Sequence, residues 1–232
     1  MKEETKNKQN IDSLFNVGAH FGFGRSRRHP SVDSYIFCTK NRVDIFDLEK
    51  TDEFLKNALD FVALQAKQNN TILLVGGKNE AQLNTKDGAT KIDMPYVAGR
   101  WIGGTLTNFP EIRKRIDEMV SLETQKEKGE LSKYTKKERL LINKKIEKLE
   151  KLFGGIKNMT TPPKAIFIVD PRFEKTALRE AKRLKIPVIA LCGSDNDISE
   201  VDFPITANDS NIQSIKYFIE KIVETYKNNL VK

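Results

Sequence analysis

Two short segments place side chains suited to acid–base or phosphate chemistry directly after stretches predicted to be buried strands. Residues 76–78 read Gly-Gly-Lys, and Asp170 is followed by Pro171 and an arginine. Because doubly wound sheets bind nucleotides at the carboxyl ends of their strands, this placement is compatible with a nucleotide or sugar-phosphate site in which Asp170 is the general acid or base. The glycine spacing, however, matches neither the dinucleotide fingerprint nor the phosphate loop. A backbone turn at 76–78 and a helix cap at Asp170, with Pro171 in the first helical turn, are therefore favoured.

Residues that commonly bind metals are few and poorly spaced for the purpose. No cysteine or second histidine lies at metal-ligand spacing from His20 or His29. The acidic loop 195–202 contains the oxygen ligands that divalent cations prefer, but it lacks the spacing of a calcium-binding loop. We therefore predict no bound metal and no cofactor. The alternative left open is one hard divalent ion held by ligands drawn from His20, Asp195, Asp197 and Asp209.

Composition limits the class of protein. The chain has 232 residues, of which 31% are charged and 38% hydrophobic, and this fits a globular domain with an insertion. No apolar stretch approaches the roughly 18 residues that a membrane span needs. The polar segment 1–10 lacks the apolar region of a signal peptide and is predicted to be a disordered tail. Cys38 and Cys192 are interpreted as reduced thiols of a cytosolic protein.

The net charge of +8 is concentrated in two segments. Residues 22–42 contain five Lys or Arg and one Asp, and residues 111–157 contain 14 Lys or Arg and nine Asp or Glu. Two basic segments on an otherwise near-neutral chain indicate a polyanionic partner. A solvated charged surface explains 111–157 as well, but it fits the loop 25–28 less well because no acid is nearby in sequence. The side chains expected to contact RNA phosphates here are Arg25, Arg27, Arg28, His29 and Lys40.

A second candidate RNA contact involves residues 100–114. Arg100 precedes Trp101, which is the only tryptophan, and an aromatic ring beside a cation can stack on an unpaired base. The competing interpretation makes Trp101 a core residue that anchors an insertion, because tryptophan is usually well buried. Arg113 and Lys114, which open the second basic segment, are also predicted to contact RNA.

Three short runs rich in Ile, Val and Leu show no alternation, which is typical of strands covered on both faces of a parallel sheet. Helical periodicity flanks each of them, and alternation of strand and helix favours right-handed βαβ units. We predict an α/β fold with a doubly wound, mainly parallel, flavodoxin-like sheet. The predicted strands are 71–75, 164–169 and 187–191, the predicted helices are 51–67, 79–91, 173–184 and 211–226, and a strand pair is predicted at 35–37 and 43–46.

The alternation is interrupted after Trp101 by a long charged region. Apolar residues recur there at spacings of three and four, which places them on one narrow stripe of each of two helices. They are Ile112, Ile116, Met119, Ile142, Ile146, Leu149 and Phe153. Thr135 and Glu138 form a capping box at the start of the second helix. The sequence therefore predicts an antiparallel coiled-coil hairpin at 108–155, inserted into an α/β domain of residues 11–107 and 156–228.

Several longer segments follow one another in a recognisable order. They are Gly18–Gly22, Arg27–Pro30, Tyr35–Phe37, Arg42–Thr51, Met94–Val97, Arg100–Phe109, Phe153–Ile156, Val169–Arg172 and Ile186–Val188. Together they resemble the family of the second-numbered protein of the small ribosomal subunit, over nearly the whole chain. The long hairpin resembles the bacterial branch in particular.

The resemblance implies a structural ribosomal protein that binds small-subunit ribosomal RNA between head and body, in the cytoplasm, with no membrane or DNA partner. It implies the third-, fifth- and eighth-numbered small-subunit proteins as neighbours, and in many bacteria a role in docking the first-numbered protein. It also adds Asn108 to the RNA-contact residues. Two other hypotheses stay open: a doubly wound enzyme that binds a nucleotide or sugar phosphate, and a protein-docking module whose contact surface is the hairpin.

Overall fold

The order of elements follows the alternation that the apolar pattern predicts. The computed structural model describes the backbone of residues 2–230 and the side chains of residues 9–131 and 134–230. The helices are α1 (Lys2–Asn16), α2 (Leu48–Lys67), α3 (Asn79–Thr90), α4 (Phe109–Glu127), α5 (Lys136–Phe153), α6 (Lys175–Arg183) and α7 (Ile212–Asn229). The strands are β1 (Phe21–Gly24), β2 (Ile36–Lys40), β3 (Val43–Phe46), β4 (Ile72–Val75), β5 (Tyr96–Val97), β6 (Ala165–Val169), β7 (Val188–Cys192) and β8 (Phe203–Thr206).

The larger sheet has five parallel strands in the order β5-β4-β6-β7-β8. Counted from β4, this is the 2-1-3-4-5 order of flavodoxin-like doubly wound folds. Every residue of β4, β6 and β7 is buried, which explains why these strands are continuous apolar runs in the sequence. The prediction of a doubly wound, mainly parallel sheet is confirmed.

The two edge strands carry little sequence signal. β5 is only two residues long, and β8 contains Pro204. Proline has no N–H to donate to a neighbouring strand, so it is found almost only at sheet edges. Apolar runs in the sequence therefore reveal the three central strands but neither of the edge strands.

Helices cover both faces of this sheet. On one face α2, α3 and α7 pack with Leu74, Phe167 and Ile189, and Phe218 from α7 is fully buried there. On the other face α6 and the first turns of the inserted hairpin pack with Leu73, Ile166 and Ala190. The hydrophobic core thus consists of two layers, one on each side of the parallel sheet.

A small antiparallel sheet in the order β1-β3-β2 precedes α2. The predicted strand pair is present, and β1 adds a third strand that its glycines obscure in the sequence. β2 and β3 are joined by Asn41 and Arg42, which both have positive φ angles of 51° and 65°. Such a two-residue loop matches the twist of the strands that it connects. It brings the ends of all three strands to one edge of the molecule.

The inserted hairpin consists of α4 and α5, which pack on each other. The predicted capping box is present, with Glu138 N–H donating to Thr135 Oγ1 and Thr135 N–H donating to Glu138 Oε2. The root of the hairpin packs on the α/β domain as well as on itself, because Phe109, Ile112 and Phe153 belong to the hydrophobic core on one face of the parallel sheet. The domain limits 11–107, 108–155 and 156–228 stay predictions.

The prediction of a disordered tail at 1–10 disagrees with the structure, in which α1 begins at Lys2; Met1 lies outside the described residues. The physical reason lies at the other end of the helix. Leu14 is fully buried and α1 packs on α2, and Asn10 Nδ2 donates to Asp52 Oδ1 at 3.3 Å. Once these contacts anchor the last turns, the Glu, Lys and Gln residues before them extend the helix at low cost.

Candidate nucleic-acid interface

Arg28 is held inside the small sheet. Its Nε and Nη2 atoms donate to both carboxylate oxygens of Asp44 at 2.9 Å, and Nη1 donates to Asp33 at 3.1 Å. Asp44 lies on β3 and is fully buried; its hydrogen bonds raise the pKa of Arg28. The sequence argument that no acid accompanies this arginine is therefore wrong, because the fold brings Asp44 to it. Arg28 stabilises the fold rather than offering a free cation to RNA.

The neighbouring cations form no ion pairs with the described residues, and Arg27 lies over the ring of Phe23 at 5.9 Å. Arg25 follows β1 and its backbone N–H donates to the Arg42 carbonyl oxygen at 3.0 Å, Lys40 ends β2, and Arg42 lies in the β2–β3 loop. Arg25, Arg27, Lys40 and Arg42 are exposed, and none of the four forms an ion pair with any described residue. We call these four residues the basic edge. Arg42 was not among the residues predicted to bind RNA, although its place in the tight loop after a basic strand end is a signal for it.

His29 lies where the basic edge meets the main sheet. Its Nδ1 atom is 2.8 Å from Ser31 Oγ and accepts from Ser31 N–H, which caps a short 3-10 helix at residues 30–35. The backbone N–H of His29 donates to the Ser194 carbonyl oxygen at 2.9 Å. Nδ1 is therefore occupied, and Nε2 is the atom of His29 that remains for a phosphate contact.

Trp101 is buried rather than available for stacking, with 7% of its surface exposed. Its Nε1–H donates to Glu180 Oε1 at 3.1 Å. Glu180 also accepts from the backbone N–H groups of Gly104, Leu106 and Thr107 and from the Thr107 hydroxyl. Burial alone would raise the pKa of Glu180, but these donors outweigh it and lower the pKa. Trp101 and Glu180 thus hold loop 101–107 against α6, which corrects the base-stacking interpretation of Trp101.

The other residues of this region differ in availability. Arg100 is exposed and forms no ion pair with the described residues. Asn108 is exposed before α4 and its side chain makes no capping hydrogen bond. Arg113 Nη1 donates to the carbonyl oxygens of residues 157 and 159 and so fastens the hairpin root. Lys114 is exposed and pairs with Glu111. Arg100 and Asn108 are the best-presented of these predicted contacts.

The residues considered for a metal do not converge. His20 stacks on Phe15 and contacts the tilted ring of Phe21, and burial lowers its pKa, which favours the neutral ring. Asp195 pairs with Arg172, Asp197 caps a short 3-10 helix, and Asp209 lies 3.6 Å from Lys78. Within residues 9–131 and 134–230, no group of three or more His, Cys, Asp or Glu side chains is arranged to hold an ion.

Internal ion pairs fill the carboxyl ends of β4 and β6, where the enzyme hypothesis places a ligand. Lys78 Nζ lies 3.1 Å from Asp170 Oδ2 and donates to Ser210 Oγ. Burial lowers the pKa of Lys78, but Asp209 and Asp170 outweigh it and the net shift is upward. Glu174 Oε1 accepts from Gly77 N–H at 2.9 Å. The sequence segments 76–78 and 170–172 do meet, and the lysine that could bind a phosphate is engaged by the chain's own carboxylates.

Glu174 gives this cluster a testable pH dependence. Burial raises its pKa to about 7. A raised carboxyl pKa means that the folded state binds a proton more tightly, so this group destabilises the fold increasingly as the pH rises from its unfolded value towards about 7. We expect Glu174→Gln, whose carbonyl oxygen can still accept from Gly77, to be more stable than the wild type by about 2 kcal/mol at pH 8. Urea unfolding at pH 8 and pH 5 measures this, and a difference that does not shrink at pH 5 would contradict it.

The sequence matches one known protein family over most of its length. The family model described as "Ribosomal protein S2" matches residues 14–229. A relative in Roseiflexus castenholzii (strain DSM 13941 / HLO8), the "Small ribosomal subunit protein uS2", is 42% identical over 212 residues, which are 91% of this chain and 81% of that protein. In the described part of the chain, no helix is long and apolar enough to cross a membrane. The chain belongs to the ribosomal protein S2 family, so it is a structural protein of the small ribosomal subunit and not an enzyme.

Proposed function

We propose that this chain binds small-subunit ribosomal RNA between head and body, in the cytoplasm, with the basic edge as its principal phosphate-binding surface. The observation that carries the proposal is that four exposed cations, Arg25, Arg27, Lys40 and Arg42, lie at one edge of the small sheet without acidic partners among the described residues. Arg100, Asn108 and the free nitrogen of His29 extend the contact. Phosphate contacts of this kind supply affinity and register rather than sequence reading.

A triple variant tests the basic edge. Changing Arg25, Arg27 and Lys40 to alanine removes three exposed cations and leaves the Arg28–Asp44 pair intact. Each lost phosphate contact lowers the slope of log K against log salt by about 0.7–0.9, so the slope should fall by about 2–3. Filter binding of the purified chain to small-subunit rRNA, at several salt concentrations, measures it.

The matched control removes the same charge from the helices α2, α3 and α7, which cover one face of the parallel sheet. Lys67, Lys86 and Lys216 are exposed on α2, α3 and α7, and their replacement by alanine should change neither affinity nor slope beyond the general effect of net charge. Equal losses in the two triple variants would mean that the binding is non-specific and that the basic edge is misassigned.

The far part of the hairpin suits contact with neighbouring proteins. It carries the ion pair Lys145–Glu118 between its two helices, and Leu140 and Leu141 are exposed on α5. We propose that this face docks other small-subunit proteins, with the third-, fifth- and eighth-numbered ones as expected neighbours and the first-numbered one as a further candidate. Cross-linking of intact small subunits identifies which proteins touch α5, and the absence of any α5 cross-link would contradict this docking role.

A further inference from the structure

An exposed aromatic ring lines a cleft beside the carboxyl edge of the parallel sheet. Phe173 lies in the turn between β6 and α6, and 61% of its surface is exposed. The cleft has a volume of about 580 Å³ and is also lined by Arg100, Trp101, Lys151 and Gln82. Its size falls within the range of small-molecule binding sites. The ring is not used by any contact assigned above, although Arg100 in the lining is already a proposed RNA contact.

The turn that carries Phe173 is held in place by hydrogen bonds from its backbone N–H groups. Phe173 N–H donates to Asp170 Oδ1 at 3.1 Å, and Glu174 N–H donates to the Asp170 carbonyl oxygen at 3.0 Å. Arg172 N–H donates to Asn196 Oδ1 at 2.8 Å. Three consecutive residues are therefore fixed by hydrogen bonds. Because the backbone that presents the ring is already ordered, little backbone freedom is lost when something binds to the ring.

The charges around the cleft favour an anionic partner. Arg100 and Lys151 are exposed, and neither forms an ion pair with the described residues. The carboxylate in the lining, Glu174, is 3% exposed and already accepts from Gly77 N–H. Free cations beside an exposed ring are the combination that binds unpaired nucleotides, since the ring stacks on the base and the cations contact the phosphates.

We propose that this cleft binds an unpaired base of small-subunit rRNA, with the base stacked on Phe173 and the adjacent phosphates on Arg100 and Lys151. The inference rests on the proposed RNA-binding function and gives that function a base contact in addition to the basic edge. RNA is favoured over a protein segment because the free charges of the lining are cationic. The exposed aromatic that sequence reasoning sought at Trp101 is thus supplied by Phe173 in the same cleft.

Four variants of the full chain test this inference against small-subunit rRNA. Stacking on an aromatic contributes enough that Phe173→Ala should weaken binding by about fivefold or more. Phe173→Leu keeps an apolar side chain without a π face and should weaken binding similarly, whereas Phe173→Tyr should retain it. Since stacking is not electrostatic, the salt slope should stay at the wild-type value. Leu184→Ala, at the exposed far end of α6, is the control and should have no effect.

The possible outcomes distinguish the base contact at Phe173 from RNA binding by the chain as a whole. Binding by Phe173→Ala within twofold of the wild type would overturn the base contact alone. Wild-type binding by Phe173→Leu, with weak binding by Phe173→Ala, would also overturn it and would indicate a simple apolar contact of the kind a protein partner makes. A wild-type chain that does not bind the rRNA at all would overturn the proposed function and this inference with it. Circular dichroism melts confirm that each variant is folded, which is expected because Phe173 is exposed.

Discussion

Arg28→Ala should lower the free energy of unfolding by about 3 kcal/mol, because removing one partner of a buried ion pair leaves the other charge uncompensated. Asp44 is fully buried at the centre of the small sheet. It would retain a hydrogen bond from Thr39 Oγ1 at 2.8 Å but lose both hydrogen bonds from the guanidinium. Urea unfolding at pH 7, followed by circular dichroism, measures the loss.

Two further variants show whether the buried charge is the cause. Asp44→Asn removes that charge, so Arg28→Ala should cost much less in an Asp44→Asn background than alone. Arg27→Ala, one residue away and exposed, should change stability by no more than about 0.5 kcal/mol. If Arg28→Ala behaved like Arg27→Ala, Arg28 would be free after all and would return to the set of RNA contacts.

Glu180→Gln should destabilise the chain by about 3 kcal/mol, because a charged acceptor of five hydrogen bonds is replaced by an amide whose NH₂ group faces backbone donors. The change is nearly isosteric, so packing around Trp101 is preserved. The low pKa of Glu180 means that its stabilisation is present above the ordinary glutamate range, about pH 4.3, and is lost as the pH falls through its folded value. The deficit of the variant should therefore shrink on acidification.

Glu200→Gln is the matched control for this experiment. Glu200 is exposed and pairs with Lys182, which lies on α6 as Glu180 does. Exposed ion pairs contribute little to stability. We expect its unfolding curve to coincide with that of the wild type within about 0.5 kcal/mol. A Glu180→Gln deficit that stays constant from pH 7 to acidic pH would show that the carboxylate charge is not what holds loop 101–107.

The sequence predicts those helices and strands whose own residues show a recognisable pattern. β4, β6 and β7 are recognisable because burial on both faces demands continuous apolar runs, and the hairpin is recognisable from its stripes and its capping box. α1 was missed because Leu14, which anchors it, lies beyond the polar segment that suggested disorder, and because Asn10, at the end of that segment, meets Asp52 from a distant part of the chain. β8 was missed because Pro204 is tolerated only at an edge, and edge position is a property of the whole sheet.

The candidate site was harder to predict from the sequence, because contacts between residues far apart in the chain decide which side chains are free. Arg27 and Arg28 are adjacent and chemically identical, yet only Arg28 meets a buried carboxylate, 16 residues away. Trp101 meets Glu180 across 79 residues, and this pairing decides that the ring is buried. Charge density correctly indicated a basic surface, but which cations are free depends on the tertiary fold.

The most direct test of RNA binding through the basic edge is ultraviolet cross-linking of intact small ribosomal subunits, followed by mass spectrometry of this chain's peptides. The account predicts that RNA-linked peptides span residues 25–27 and 40–42, with none from the exposed faces of α2 and α7. RNA cross-links confined to α2 or α7, or a basic edge without any cross-link, would contradict it.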